Sequence, residues 1–209
     1  MKSFIVEFWS QIFNGLEKIS LFWVVRKLLP SIKESYQFVE WWVLGHLILS
    51  IVLLLICSAL NLYWGEAIAV GWGMIRVFEV LIYQINVLLF DEYRAKKAGK
   101  PYALRGYRRI VILLLHNYVE IIFWFALFYH HWDWAFETGK ASFDSIPGVL
   151  NFSFVTMTTF GYTTIFPKET LGNILTLTQS AIGLFMALLI LARFISLIPT
   201  PKTLDEFEK

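Results

Sequence analysis

The chain has 209 residues, of which 57% are hydrophobic, and its mean hydropathy is +0.61. A water-soluble protein of this size could not bury so much apolar surface, so the composition excludes an ordinary soluble domain and predicts an integral membrane protein. The net charge of +2 excludes little, and the single cysteine, Cys57, excludes an intramolecular disulfide.

The first 40 residues predict an amphipathic N-terminal segment. Polar residues such as Glu7 and Gln11 interrupt any apolar core that a signal peptide would need. The spacing favours a helix that lies in the membrane interface or packs on the rest of the protein, and both alternatives remain open. Its apolar positions recur at helical spacing: Phe4, Ile5, Phe8, Trp9, Ile12, Phe13, Leu16 and Ile19.

Four longer apolar stretches are each near the roughly 20 residues that cross a bilayer as a helix. They run over about 42–62, 67–90, 110–130 and 173–198. We therefore predict an all-α fold with four transmembrane helices, of which the first two form a hairpin within residues 41–109. The basic stretch that ends this hairpin indicates a cytoplasmic loop, because cytoplasmic loops carry an excess of Lys and Arg. Four crossings then place both termini, including a short tail at 200–209, on the cytoplasmic side of the cell membrane.

The segment from Phe143 to Phe166 is too polar to span a bilayer. Ser145 as N-cap and Pro147 in the first turn predict a short helix that ends at about Met157. Such a half-helix, followed by irregular backbone, is tolerated at membrane depth only where it lines a watery path enclosed by protein. Backbone carbonyls there would replace the water shell of a passing cation, and the negative end of the helix dipole would assist.

The sequence TMTTFGYTTIFPKETLGN then carries a specific resemblance. It resembles the selectivity filter and following helix of the potassium channel superfamily, whose usual pattern is T-x-T-T-x-G-Y-G-D-x-x-P. The helix that precedes the loop and the helix that follows it match the order of that family's pore module, here residues 110–199. The residues in step with the pattern are Thr156, Thr158, Thr159, Gly161, Tyr162 and Pro167.

This resemblance implies a homotetramer in which each subunit contributes one filter strand to a central pore. Carbonyls of Thr159, Phe160, Gly161 and Tyr162 would line the ion sites, with Thr158 supporting the filter. Gly183 falls at the family's gating-hinge position in the inner helix. The implied function is passive conduction of K⁺, with no catalysis, no cofactor and no metal other than the permeant cations.

Two departures affect the outer mouth of the filter. Thr163 replaces the second glycine and Thr164 replaces the usual aspartate. A β-branched residue at a left-handed position is strained, so we expect a rebuilt outer mouth. Related potassium transporters keep one glycine per filter loop, which is compatible with K⁺ handling. A weakly selective Na⁺/K⁺ channel and a non-conducting membrane scaffold or subunit remain alternatives. The filter cuff, meaning the side chains that would brace the filter, is predicted to be mainly apolar. Its residues are Asn151, Phe152 and Val155.

Charged residues inside the predicted helices form a second candidate site. Intramembrane charges normally face partners or water. We expect Arg76 to pair with Glu79, Glu120 or both. This cluster is either a structural clamp between the hairpin and the pore module or a gating element with His116 as proton sensor. The basic loop at 92–109 predicts contact with anionic lipid. Nothing in the sequence predicts nucleic acid binding. The sequence predicts no sensor domain, so gating by an unidentified regulatory partner is an alternative that stays open.

Overall fold

The structure is a computed structural model and describes residues 3–28, 35–60, 63–101, 106–138, 143, 145–161 and 164–197. The predicted filter residue Tyr162, the predicted outer-mouth residue Thr163 and the tail 200–209 lie outside these ranges. Within them the chain is almost wholly helical. The α-helices are α1 (Phe4–Glu17), α2 (Leu21–Leu28), α3 (Tyr36–Leu60), α4 (Tyr63–Ile85), α5 (Asp91–Lys97), α6 (Tyr107–His131), α7 (Ile146–Thr158) and α8 (Thr170–Ile195).

Four helical segments are long and apolar enough to cross a bilayer, which confirms the predicted all-α membrane fold. They are 37–60, 63–97, 107–131 and 170–195. The second differs most from its predicted bounds. A π-helical turn at Asn86–Phe90 joins α4 directly to α5, so the helix continues to Lys97. Part of the predicted basic loop is therefore helical.

The N-terminal segment forms two helices where the apolar spacing predicted one. The chain turns between Glu17 and Leu21, and the Ser20 hydroxyl caps α2 by accepting a hydrogen bond from the Trp23 amide at 3.1 Å. Helix α1 packs on the end of α4, where the rings of Phe13 and Phe90 stack with centroids 5.4 Å apart. Its other face exposes Phe4, Ile5, Phe8 and Trp9. Helix α1 thus packs on the protein and also presents an apolar face suited to a membrane interface.

Helix α6 lies at the centre of the fold and packs against α3, α4, α7 and α8. The α4–α6 contact is close because Gly73 leaves room for the Trp124 ring, which a β-carbon at Gly73 would meet at 2.5 Å. After α6, strand β1 (Phe136–Glu137) pairs antiparallel with β2 (Phe166–Pro167). This pair joins the segment before α7 to the segment that leads into α8.

Candidate functional site

Helix α7 is the predicted short half-helix. The Ser145 hydroxyl accepts a hydrogen bond from the Gly148 amide at 3.2 Å, and Pro147 lies in the first turn, as the sequence predicts. The helix has 13 residues, so it is about 20 Å long and spans only part of a bilayer. This length agrees with the predicted half-helix, which would bring the loop that follows Thr158 to membrane depth.

The loop leaves α7 through a left-handed residue. Thr159 has φ 55° and ψ 26°, and the Phe160 amide bonds back to the Val155 carbonyl at 3.1 Å. This is a left-handed helix end, which glycine normally occupies, and a β-branched residue there carries strain on the order of 1–3 kcal/mol. Gly161 also has a positive φ, of 77°. Among the described residues, a left-handed threonine thus occurs at Thr159, within the predicted filter. The strain predicted at Thr163 falls outside the described residues and stays a prediction.

The threonine side chains at this end are directed to backbone carbonyls. The Thr158 hydroxyl donates to the Phe154 carbonyl at 2.9 Å, which ties it to α7, while the Thr159 hydroxyl donates to the Thr158 carbonyl at 2.7 Å. Beyond them the loop is exposed, and Phe160 is 77% exposed. Thr164 is also exposed. The loop thus presents Thr159, Phe160 and Gly161 away from the core of their own chain.

Gly183 lies in close contact with the end of α7. Helix α8 is continuous from Thr170 to Ile195, and a β-carbon at Gly183 would lie 2.0 Å from the Met157 carbonyl oxygen. The same carbonyl accepts a hydrogen bond from the Tyr118 hydroxyl at 3.3 Å. Gly183 therefore allows α8 to approach α7 closely, and its predicted role as a hinge remains a prediction.

A buried polar network links α6, α7 and α8 behind the loop. Gln179 of α8 is fully buried, and its side-chain amide donates to the Ser153 hydroxyl at 2.7 Å and to the Ser153 carbonyl at 3.0 Å. The Tyr129 hydroxyl of α6 donates to Gln179 Oε1 at 2.6 Å, and the Ser153 hydroxyl donates to the Ile122 carbonyl at 2.7 Å. Satisfied buried polar groups of this kind specify one arrangement of the helices.

The predicted mainly apolar cuff, which lies on the same helix as Ser153, stays a prediction. Phe152 and Val155 are buried and apolar as expected, whereas Asn151 is exposed and Ser153 and Gln179 supply polar contacts. Sequence reasoning missed Ser153, Gln179 and Tyr129. The available signal was a glutamine within an apolar spanning helix, since intramembrane polar residues usually have protein partners.

The three predicted intramembrane charges lie together. Arg76 Nε donates to Glu120 Oε1 at 2.8 Å, Nη2 donates to Glu120 Oε2 at 3.1 Å, and Nη1 donates to Glu79 Oε2 at 2.6 Å. Arg76 and Glu79 are each 4% exposed and Glu120 is fully buried. A guanidinium between two carboxylates is a well-satisfied arrangement, because each guanidinium nitrogen donates to a carboxylate oxygen.

The cluster reaches beyond α4 and α6, while His116 is placed elsewhere. Glu79 Oε1 accepts a hydrogen bond from the Phe22 amide in the first turn of α2, and Trp124 Nε1 donates to Glu120 at 3.1 Å. His116 Nδ1 instead lies 2.7 Å from the Ile112 carbonyl of its own helix. The geometry therefore connects α4 to α6 through Arg76 and α4 to α2 through Glu79, and it leaves the predicted sensor role of His116 a prediction.

Comparison with known proteins identifies the segment that carries the loop. The family model described as an ion channel matches residues 111–199. The match covers less than half of the chain, and it supports the predicted resemblance of the pore module to the potassium channel superfamily. No curated protein and no solved structure shows significant similarity to the chain.

Proposed function

We propose that the protein is a homotetrameric channel that conducts K⁺ passively through a filter at Thr159–Tyr162. The observation that carries this proposal is the capped half-helix α7, held between α6 and α8, whose exposed C-terminal loop contains left-handed residues at Thr159 and Gly161. Irregular backbone at membrane depth is tolerated only where it is buried in protein or lines a watery path, so an exposed loop at that depth indicates a watery path.

A symmetric assembly would cover the surfaces that one chain leaves open. Helix α8 buries one face against α6 and α7, and the opposite face exposes a leucine stripe. Both this stripe and Phe160 suit contacts with neighbouring subunits around a central axis or with lipid. The stripe includes Leu177, Leu184, Leu188 and Leu191.

In the proposed orientation the basic segment around α5 faces the cytoplasm, as do both termini. This follows from the excess of Lys and Arg in that segment. Helix α7 then enters from the outer side, with the loop after Thr158 passing back toward it. Lys96 and the neighbouring basic residues of α5 would lie near the anionic headgroups of the inner leaflet, which favours contact with lipid there.

The proposal is tested by ion flux from liposomes that contain the purified protein, with K⁺ and Na⁺ gradients examined separately. We expect K⁺ flux with little Na⁺ flux. Gly161→Ala should abolish it, because any side chain at φ 77° is strained. Gly71→Ala is the matched control, since a β-carbon there meets nothing within 4 Å.

Thr163 decides between K⁺ selectivity and weak selectivity. Equal flux of both ions that becomes K⁺-selective in Thr163→Gly would identify the missing glycine as the cause of lost selectivity. Silence of both the parent protein and Thr163→Gly would contradict the channel proposal in favour of a non-conducting subunit.

A further inference from the structure

Two adjacent histidines at the end of α6 face one glutamate at the start of α4. His130 Nδ1 lies 2.6 Å from Glu66 Oε1, and His131 Nδ1 lies 3.6 Å from Glu66 Oε2. Glu66 is 6% exposed, and the side chains of His130 and His131 are 12% and 8% exposed. The contact joins the same two helices as the Arg76–Glu120 pair, about 15 Å further along α4.

Each histidine ring turns its Nδ1 atom to the carboxylate. A carboxylate only accepts hydrogen bonds, so the His130 nitrogen that lies against Glu66 is the donor and carries a proton. Within the described ranges, His131 Nδ1 is buried without a hydrogen-bond partner, and a shift of about 0.7 Å would bring it to hydrogen-bond distance of Glu66. Neutral rings leave Glu66 as a buried anion without a cation, whereas a protonated ring forms a charge-assisted bond with it.

A surface pocket of about 440 Å³ lies beside this cluster. Its lining includes the exposed residues Asp133 and Trp134, so water reaches the cluster and protons exchange with it. The Asp133 carboxylate accepts a hydrogen bond from the Trp134 amide at 2.6 Å, and solvent screens its charge. Among the residues that the structure describes, no group of three His, Cys, Asp or Glu side chains is placed to hold a metal ion, which distinguishes the cluster from a metal site.

Further titratable groups near the cluster come from α3 and α4. The Tyr63 ring of α4 lies 5.4 Å from the His131 ring, and Cys57 of α3 lies within electrostatic range of Glu66. Histidine is the side chain whose charge ordinarily changes between about pH 5 and pH 8. Within that range a change in the charge of the cluster is therefore assigned to His130 and His131.

The end of α6 is bonded to the segment that follows the loop. The Trp132 carbonyl accepts a hydrogen bond from the Ala135 amide at 3.0 Å, and the Ala135 carbonyl accepts from the Lys168 and Glu169 amides at 2.9 and 3.2 Å. A β-carbon at Gly172 would lie 2.6 Å from the same Ala135 oxygen, so α8 begins in close contact with it. A displacement at the end of α6 therefore reaches the segment between the loop and α8.

We propose that Glu66, His130 and His131 form a proton-sensitive histidine clamp between α4 and α6, which is closed when the histidines are protonated and loosened when they are neutral. The ion pairs form in mild acid and are lost as the pH rises through the range in which histidine loses its charge. The side of the membrane rests on the proposed function, in which this end of α6 faces outside. The clamp then couples outer pH to the segment that follows the proposed filter.

The test is amide hydrogen exchange of the full-length protein in lipid nanodiscs at about pH 5.5 and about pH 7.5, two values inside the histidine range. Protection is expressed relative to an unstructured peptide at the same pH. We expect protection at the end of α6 and in 132–137 to fall about tenfold at the higher pH, the effect of one charge-assisted bond, while the inner end of α8 keeps its protection. The measurement needs no ion flux, so a non-conducting protein would not affect it.

Variants assign the response to the cluster. Glu66→Gln removes the buried charge at nearly the same shape, and its protection should be equal at both pH values. A double variant, His130→Gln with His131→Gln, should behave in the same way and keeps the test valid if Glu66→Gln fails to fold. The matched control is Glu92→Gln, at an exposed position on α5, which should respond to pH as the parent does.

Two results would overturn the proposal. One is equal or greater protection of the parent at the higher pH, which would mean that protonation does not close the clamp. The other is a pH response that persists in both Glu66→Gln and the double histidine variant, which would mean that another group is responsible.

Discussion

Gly183 has no room for a side chain, because a β-carbon there would lie 2.0 Å from the Met157 carbonyl oxygen. Backbone cannot give way as the end of a flexible side chain can. We therefore expect Gly183→Ala to lower the free energy of unfolding by about 1–3 kcal/mol, as overpacking does. Thermal unfolding of the solubilised protein measures the change.

The control for this prediction is Gly71→Ala, which adds a β-carbon to open space and should be neutral or slightly stabilising. A Gly183→Ala protein as stable as its parent, but with altered channel opening, would contradict the packing role and favour the hinge. The two roles are therefore separable by one pair of measurements.

Gln179 should matter through the groups that it satisfies. Gln179→Leu keeps a similar volume but removes the acceptor of the Tyr129 hydroxyl and the amide donor to the Ser153 hydroxyl and carbonyl. We expect a loss of about 1–3 kcal/mol in the free energy of unfolding. In a cycle with Ser153→Ala, the double variant should lose less than the sum of the singles, because the residues share one network. Strict additivity would show that they act independently.

At the residue scale, the sequence predicted which residues begin a helix better than it predicted which residues contact one another. Ser145 and Pro147 define the start of α7 by local chemistry, which a sequence carries directly. The close approach at Gly183 depends on how two helices cross, and no local pattern encodes that distance. The left-handed Thr159 was missed for a different reason, since a threonine at that backbone conformation contradicts its own preference.

At the scale of elements, the Arg76 cluster joins three helices: Arg76 pairs with Glu120 between α4 and α6, and Glu79 accepts a hydrogen bond from the Phe22 amide of α2. Arg76→Leu leaves the buried carboxylates of Glu79 and Glu120 without a cation, so we expect a loss of about 3–5 kcal/mol in stability. Arg76→Lys should recover only part of the loss, because an ammonium cannot reproduce the three separate hydrogen bonds of the guanidinium. Thermal unfolding compares the variants.

The control for the cluster is Lys96→Leu, which removes an exposed basic residue on α5 and should cost less than about 1 kcal/mol. If Arg76→Leu were no more harmful than Lys96→Leu, the cluster would not be a structural clamp. A voltage- or pH-dependent conductance lost in an otherwise stable Arg76→Lys protein would instead support the gating alternative.

The docking of α1 depends on the π-helical turn. Asn86 Nδ2 lies 3.3 Å from both the Phe13 carbonyl and Glu17 Oε2. Asn86→Ala should therefore loosen α1, and backbone amide exchange should rise within Phe4–Glu17 while α7 and α8 keep their protection. Unchanged exchange in α1 would mean that its other contacts, such as the Phe13–Phe90 ring pair and the Glu7–Lys97 ion pair, hold it without Asn86.

Element boundaries show where prediction from the sequence stops. Helix existence followed from apolar length, and four spans were predicted and found. The continuation of α4 through Asn86–Phe90 into α5 was not predicted, because the switch from apolar to charged residues marks the membrane edge and not a helix end. The break before α2 was missed because Ser20, its cap, lies inside a continuous amphipathic spacing.

At the scale of the whole molecule, the pore module and the N-terminal helices form one packed unit around α6. The family resemblance predicted α6, α7 and α8 in their order. For the hairpin, the predicted pairing of Arg76 with Glu120 indicated that α4 meets α6, whereas nothing in the sequence predicted how α3 packs on α6. The packing of α4 on α6 rests on small-to-large contacts such as Gly73 with Trp124 and on the Arg76 cluster. Substitutions that alter the packing of α3 or α4 are therefore expected to alter the packing of α6, the first helix of the pore module.

The most direct test of the channel proposal is the reversal potential of currents through the purified protein in a planar bilayer, with K⁺ on one side and Na⁺ on the other. We predict a reversal potential strongly shifted in the direction set by K⁺ permeation, and loss of current in Gly161→Ala but not in Gly71→Ala. A reversal potential near zero would contradict K⁺ selectivity. The absence of current from the parent and from Thr163→Gly, in protein that is folded and inserted, would contradict conduction itself.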